Sequence, residues 1–199
     1  MSEENKVNCC RNLNKINKKV SDYEFEIFYE NNIKKVKLKD YHGKWLVLFF
    51  YPADFTFVCP TELEELAENY EEFKKLNTEV ISVSTDTAFV HKAWHDNSPA
   101  IKKINYPMAA DPTGKLARDF GVYIDEEGLA LRGTFVIDPD GVLKMSEVHD
   151  NSIGRNAQEL LRKIQAAIHV RENHGEVCPA SWRPGKDILK PGVDLVGKI

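Results

Sequence analysis

The sequence predicts an α/β protein, a β-sheet covered by helices, and three observations carry that prediction. Trp45–Tyr51 (WLVLFFY) is an unbroken apolar run between Gly43 and Pro52, the pattern of a strand buried on both faces. Residues 60–76 place Leu63, Leu66, Tyr70, Phe73 and Leu76 at offsets of three and four, which is the stripe of an amphipathic helix. Val80–Val83 (VISV) then reads as a second buried strand. Strand, helix and strand in that order imply a sheet with helical crossovers.

The remaining elements follow in chain order. Residues 1–18 are rich in Asn and Lys and lack apolar periodicity, so a flexible extension is expected there. Strands are expected over 23–29 and 33–38, joined at Asn31-Asn32, because Asn tolerates positive φ. Pro60 suits the first position of the 60–76 helix, and Glu62, Glu64 and Glu65 suit its first turn. Residues 89–95 read as helical, 99–106 as an irregular connection and 115–120 as a short helix. Residues 134–137 and 142–148 read as strands joined at Pro139-Asp140-Gly141, a turn signal. A long helix is expected over 156–170, with Leu160, Leu161, Ile164 and Ile168 as its stripe. A Gly/Pro-punctuated arm follows. The expected organisation is therefore an extension (1–18), one domain (19–171) and a C-terminal arm (172–199).

The 199 residues suit a single domain. A net charge of −4 argues against nucleic-acid binding, which needs clustered Lys and Arg. The longest apolar run falls far short of the ~20 residues of a membrane helix, so no membrane association is expected. The N-terminal residues show no apolar secretory core. Cysteines stand at 9, 10, 59 and 178, which is no disulfide framework. A reducing, cytoplasmic setting is the expectation.

Cys59 opens the 60–76 helix, after the loop Pro52-Ala53-Asp54-Phe55-Thr56-Phe57-Val58 that leaves the first buried strand. Ligand sites on such sheets gather at the carboxyl ends of strands. Unpaired N–H groups and the positive end of the helix dipole both favour thiolate over thiol there. Thr56, three residues earlier, can donate its hydroxyl to the sulfur or to an oxygen bound beside it. The bland alternative is a buried, inert cysteine. No second thiol lies three positions on, so a partner would have to be Cys178, Cys9 or Cys10.

The stretch FYPADFTFVCPTEL resembles the active-site signature of the peroxiredoxins, in the typical two-cysteine, alkyl hydroperoxide reductase C-like branch. HKAWHDN (91–97), LRGTFVIDPDG (131–141), Gly154-Arg155 and GEVCPASW (175–182) support the resemblance, which covers roughly residues 20–195. It implies a thioredoxin-like fold, with a central mixed sheet flanked by helices, and thiol-dependent reduction of hydrogen peroxide and alkyl hydroperoxides. By the same resemblance Cys59 is the peroxidatic cysteine, Thr56 hydrogen-bonds the peroxide, Pro52 shields the pocket and Arg132 supports the thiolate. Cys178 is the resolving cysteine, reaching Cys59 of a partner subunit. Glu62 and Arg155 resemble residues that hold that arginine in place. No cofactor and no metal are implied. The implied partners are thioredoxin or a flavoprotein disulfide reductase as electron donor, and further copies of the chain, as a homodimer assembling to a decamer. A holdase chaperone or peroxide-sensing interaction protein on the same scaffold is the alternative.

Other signals are weaker. His91 and His95 share a helix face, but Lys92 stands where a zinc protease has Glu, so an exposed or packing pair is expected. Adjacent Cys9 and Cys10 are strained partners for each other. The acidic series Glu62, Glu64, Glu65, Glu68, Glu71 and Glu72 reads as a solvated helix face, and Asp138–Gly141 as a turn. Peroxiredoxins sensitive to over-oxidation carry a Gly-Gly-Leu-Gly insertion and a C-terminal Tyr-Phe pair. This chain has NSPAIKKINYP (97–107) and DLVGKI there instead, so disulfide formation is expected to outrun sulfinate formation.

Overall fold

The computed structural model describes residues 15–199. They fall into two compact units, one ending at Arg155 and one spanning Asn156–Ile199. Cys9 and Cys10 lie outside the described residues.

The first unit carries strands β1 (Glu24–Tyr29), β2 (Asn32–Lys37), β3 (Trp45–Phe50), β4 (Thr78–Ser84), β5 (Met108–Ala110), β6 (Tyr123–Ile124), β7 (Leu129–Ala130), β8 (Arg132–Ile137) and β9 (Leu143–His149). Its helices are α1 (Cys59–Glu68), α2 (Tyr70–Lys75), α3 (Ala88–Asn97) and α4 (Lys115–Asp119). Seven strands form one mixed sheet in the order β2-β1-β5-β4-β3-β8-β9, and β6 pairs with β7 apart from it. β3, β4 and β5 run parallel, with α1 and α2 in the β3–β4 crossover, while β8 lies antiparallel beside β3.

Every residue of β3 and of β8 is buried. The register pairs Leu48 with Phe135 and Phe49 with Thr134. Side chains alternate between sheet faces. Leu46, Leu48, Phe50, Phe135 and Ile137 therefore line one face and belong to the main apolar core. The opposite face receives Val47 and Phe49 together with Arg132, Thr134 and Val136. Gly133, between the two polar residues of β8, is required by close packing: a Cβ there would stand 2.8 Å from both the Phe135 ring and Val122.

The structure moves several boundaries. The expected 60–76 helix breaks at Asn69, whose backbone leaves the helix at φ −101°, ψ 0°. The Asn69 amide donates to the Glu65 carbonyl at 2.8 Å, a side-chain bond of the kind that competes with helix continuation. The first hairpin turns at Glu30-Asn31, both at positive φ (51° and 58°), because Asn32 already pairs with Tyr29 in the ladder. Glu is poorly suited to that conformation. Glu30→Asn is expected to stabilise the fold by about 0.5 kcal/mol, read as a higher urea midpoint. β5 has only three residues after Pro107, too few to show a period. The segment expected to be a free extension is tied down where it is described: the Asn17 amide donates to the Leu143 carbonyl at 2.8 Å, and Lys15 pairs with Asp119 at 2.6 Å. The Asp138–Gly141 turn forms as expected, with Gly141 at φ +77° and the Asp138 carboxylate accepting from the amides of Asp140 and Val142.

The second unit begins with α5 (Ala157–Glu172). Asn156 caps it, accepting from the Glu159 amide at 2.8 Å. The arm folds back on this helix: Arg162 donates to the Trp182 carbonyl at 2.9 Å, His169 bonds Glu176 at 2.8 Å, and the His169 and Trp182 rings lie 4.9 Å apart. Helix and arm lie together in this unit. Among the described residues no helix is long and apolar enough to cross a membrane.

Candidate active site

Cys59 is the first residue of α1 and is fully buried. Pro60 fills the next position, where a missing N–H costs no helical bond. Glu62, three residues on, shares the helix face of Cys59. It is also buried, at 3% exposure, which corrects its reading as part of a solvated acidic face. Burial of a carboxylate requires partners, and two arginines supply them.

Arg132, the first residue of β8, donates from Nη1 to Cys59 Sγ at 3.3 Å and to Glu62 Oε2 at 2.7 Å. Its Nε donates to the Asn151 carbonyl at 3.0 Å, so both ends of the guanidinium are fixed. Arg155 grips Glu62 from the other side, with Nε 2.9 Å from Oε1 and Nη2 3.0 Å from Oε2, a bidentate pair. Its backbone amide also donates to Oε1 at 2.8 Å. Nη1 of Arg155 reaches the Gly133 carbonyl and Thr134 Oγ1, and the guanidinium lies over the Phe49 ring at 3.3 Å. Burial pushes the Arg155 guanidinium down from its ordinary value, against the opposing pull of Glu62. Two guanidiniums face one carboxylate, and the positive charge left over faces the sulfur.

Four of the residues expected from the sequence therefore meet around one sulfur: Cys59, Glu62, Arg132 and Arg155. Pro52 is buried at the start of the loop that leads to Cys59. Thr56 lies on that loop, but its hydroxyl donates to the Ala53 carbonyl at 2.8 Å. With its single proton engaged there, Thr56 Oγ1 presents its lone pairs as acceptors. Cys178 belongs to the second unit, where its thiol faces the Ala166 carbonyl at 3.8 Å. Burial, and then the charge of Glu176, raise its pKa.

The sequence did not point to the network behind the loop. His91 is completely buried, the packing alternative of the expected exposed or packing pair, and it bonds Asp54 at 2.8 Å. Tyr51 donates to the other oxygen of Asp54 at 2.7 Å. The available signal was the spacing of His91 and Trp94 on one helix face, since Trp94 also meets this loop, its ring 5.9 Å from that of Phe55.

Residues 16–146 match the family model described as the AhpC/TSA family. Residues 167–198 match the C-terminal domain of 1-Cys peroxiredoxin, and that stretch of this chain carries Cys178. Alkyl hydroperoxide reductase C of Staphylococcus aureus is 54% identical over 186 residues, 92% of this chain and 98% of that one. The crystal structure of Enterococcus faecalis AhpC superimposes with a TM-score of 0.81 at 49% identity, covering 83% of this chain and 99% of that one. The reduced 2-Cys peroxiredoxin of Plasmodium vivax gives 0.87 at 33% identity, with 90% and 95% covered.

Proposed function

This chain belongs to the AhpC/TSA family, with the thioredoxin-like peroxiredoxin fold and thiol-dependent peroxide reduction, and on that premise we propose that Cys59 is its peroxidatic residue and Cys178 its resolving residue. The observation that carries the reading is the 3.3 Å approach of Arg132 to the buried Cys59 sulfur. An anionic sulfur brings the buried cluster to zero net charge. It attacks the hydroxyl-bearing oxygen of ROOH, forming the S–O bond as the O–O bond breaks. Two electrons pass from sulfur to peroxide, and RO⁻ leaves, taking a proton from water. Arg132 stabilises the charge that spreads along the three reacting atoms, and Pro52 closes the pocket.

Thr56 Oγ1 accepts the peroxide O–H and orients the attacked oxygen. Thr56→Val is expected to slow the first step about 10²-fold, while Thr56→Ser stays within about threefold of wild type. Rapid mixing with hydrogen peroxide, followed by intrinsic fluorescence, measures both.

Cys59 is then a sulfenic acid. The Cys178 thiolate of a partner subunit attacks that sulfur, and the displaced hydroxide becomes water. A dithiol donor, thioredoxin or a flavoprotein reductase, restores both thiols by exchange. No cofactor enters these steps. Because the raised pKa keeps Cys178 protonated at neutral pH, its thiolate fraction grows as pH rises, and disulfide formation is expected to accelerate with it. Adding peroxide and running a non-reducing gel tests the pairing. A dimer band is expected for wild type and none for Cys178→Ser; wild-type monomers alone would overturn the intersubunit step. Dimers assembling into a decamer, in the cytoplasm, complete the reading. Phe57, at 92% exposure, and the exposed Phe55 and Phe89 support association. A non-catalytic holdase has no chemical use for this cluster and is not favoured.

A further inference from the structure

We propose that His91 is a positioning residue for the peroxidase cycle: through Asp54 it holds the loop bearing Thr56 and Cys59 in its folded form, and so sets the balance between disulfide and sulfinate at Cys59. The proposal rests on the assignment of Cys59 above.

Five residues separate the end of β3 from Thr56. The Asp54 carboxylate is satisfied on both oxygens, by the Tyr51 hydroxyl and by His91 Nδ1, and its backbone amide donates to Asp86 Oδ2 at 2.8 Å. Asp86 is itself fixed by the Ser84 hydroxyl at 2.8 Å. The side chains of His91 and Asp54 are both fully buried. His91 Nε2 faces the Ala109 carbonyl at 3.1 Å, so that nitrogen must carry a proton. The contact between Nδ1 and Asp54 then needs one more proton between them, and the imidazole serves as a rigid strut from β5 to the loop. Burial and the neighbouring carboxylate push the Tyr51 phenol well above its ordinary value, which keeps it a donor to Asp54.

The next residue shows what the strut resists. Phe55 adopts φ +55°, a left-handed conformation that costs an aromatic residue free energy and persists only where its surroundings impose it. Trp94, one turn beyond His91 on α3, sets its ring 5.9 Å from that of Phe55, tilted by 38°. Asp86, His91 and Trp94, from one continuous stretch of chain, thus hold Asp54 and Phe55. Thr56 and Cys59 follow directly. The fully buried Cys59 reaches another thiol only when this loop and the first turn of α1 open, whereas a second peroxide attacks the sulfenic acid in the closed form. The strut therefore slows disulfide formation and prolongs exposure to over-oxidation.

The test exposes the reduced full-length protein to a hydrogen peroxide series and measures Cys59 sulfinate against Cys59–Cys178 disulfide by mass spectrometry. His91→Leu removes the donor to Asp54; His91→Asn keeps one near the Nδ1 position. Half-conversion to sulfinate is expected to need about tenfold more peroxide in His91→Leu than in wild type, the effect of losing one charge-assisted hydrogen bond, with His91→Asn in between. A general loss of stability shifts the melting temperature of both variants without this graded partition. An unchanged partition overturns the proposal. If His91→Leu does not fold, His91→Asn against wild type decides, and equal values again overturn it. A wild type that consumes no peroxide defeats the assignment of Cys59 instead, so the two failures are distinguishable.

Discussion

Cys59→Ser is expected to lower peroxide consumption by about 10³-fold or more, measured as loss of hydrogen peroxide with excess dithiothreitol. The change is one atom in a site that otherwise stays assembled. Oxygen and sulfur differ in size by little enough for Arg132, Glu62 and Arg155 to keep their mutual bonds, which do not involve the sulfur. Nucleophilicity does not survive. A serine hydroxyl is a far weaker nucleophile than a cysteine sulfur, and no histidine or lysine contacts Cys59 among the described hydrogen bonds to act as its base. The variant should unfold at a denaturant concentration close to that of wild type. Equal rates of peroxide loss in the two proteins would remove the enzymatic reading altogether.

Arg132→Met is expected to affect both chemistry and folding. Arg132 is buried at 3% exposure, and one of its nitrogens serves the sulfur and Glu62 together. Its removal deletes the donor beside the reacting sulfur, and the first step should slow by about 10²–10³-fold. It also leaves the buried Glu62 carboxylate with Arg155 alone, and breaking a buried pair from one side costs about 3–5 kcal/mol. Arg132→Lys should recover part of the stability and little of the rate, because an ammonium cannot serve Cys59, Glu62 and the Asn151 carbonyl in one plane. Stopped-flow kinetics and a urea titration on the same preparations separate the two effects. A fast first step in Arg132→Met would show that the sulfur needs no such donor.

The legible parts of the sequence were those governed by short-range rules. The buried strand at 45–51 and the cysteine that opens the next helix follow from an apolar run, a proline and a turn of acidic residues. The meeting of Glu62, Arg132 and Arg155 did not follow from any such rule. These residues come from a helix, a strand and a turn that are far apart in the chain, and only a resemblance to known proteins brought them together in advance. Period analysis places Glu62 among exposed acids, because spacing cannot reveal that two distant arginines cover it. His91 escaped for the same reason: its partners lie on the loop after β3 and on β5, and β5 is too short to announce itself. The break at Asn69 was hidden because the apolar stripe continues through it, while the Asn69 side chain bonds back to the Glu65 carbonyl.

That break has a consequence for repeated turnover. α1 is ten residues long, a length at which an isolated helix is marginal in water. At the joint the Asn69 backbone still links the two helices, donating to the Glu65 carbonyl and accepting from the amides of Glu72 and Phe73, and α2 packs on β4. A first turn that unwinds at the sulfur would therefore keep a seated remainder to refold against, because Leu63 and Leu66 are buried further along α1 and α2 holds its far end.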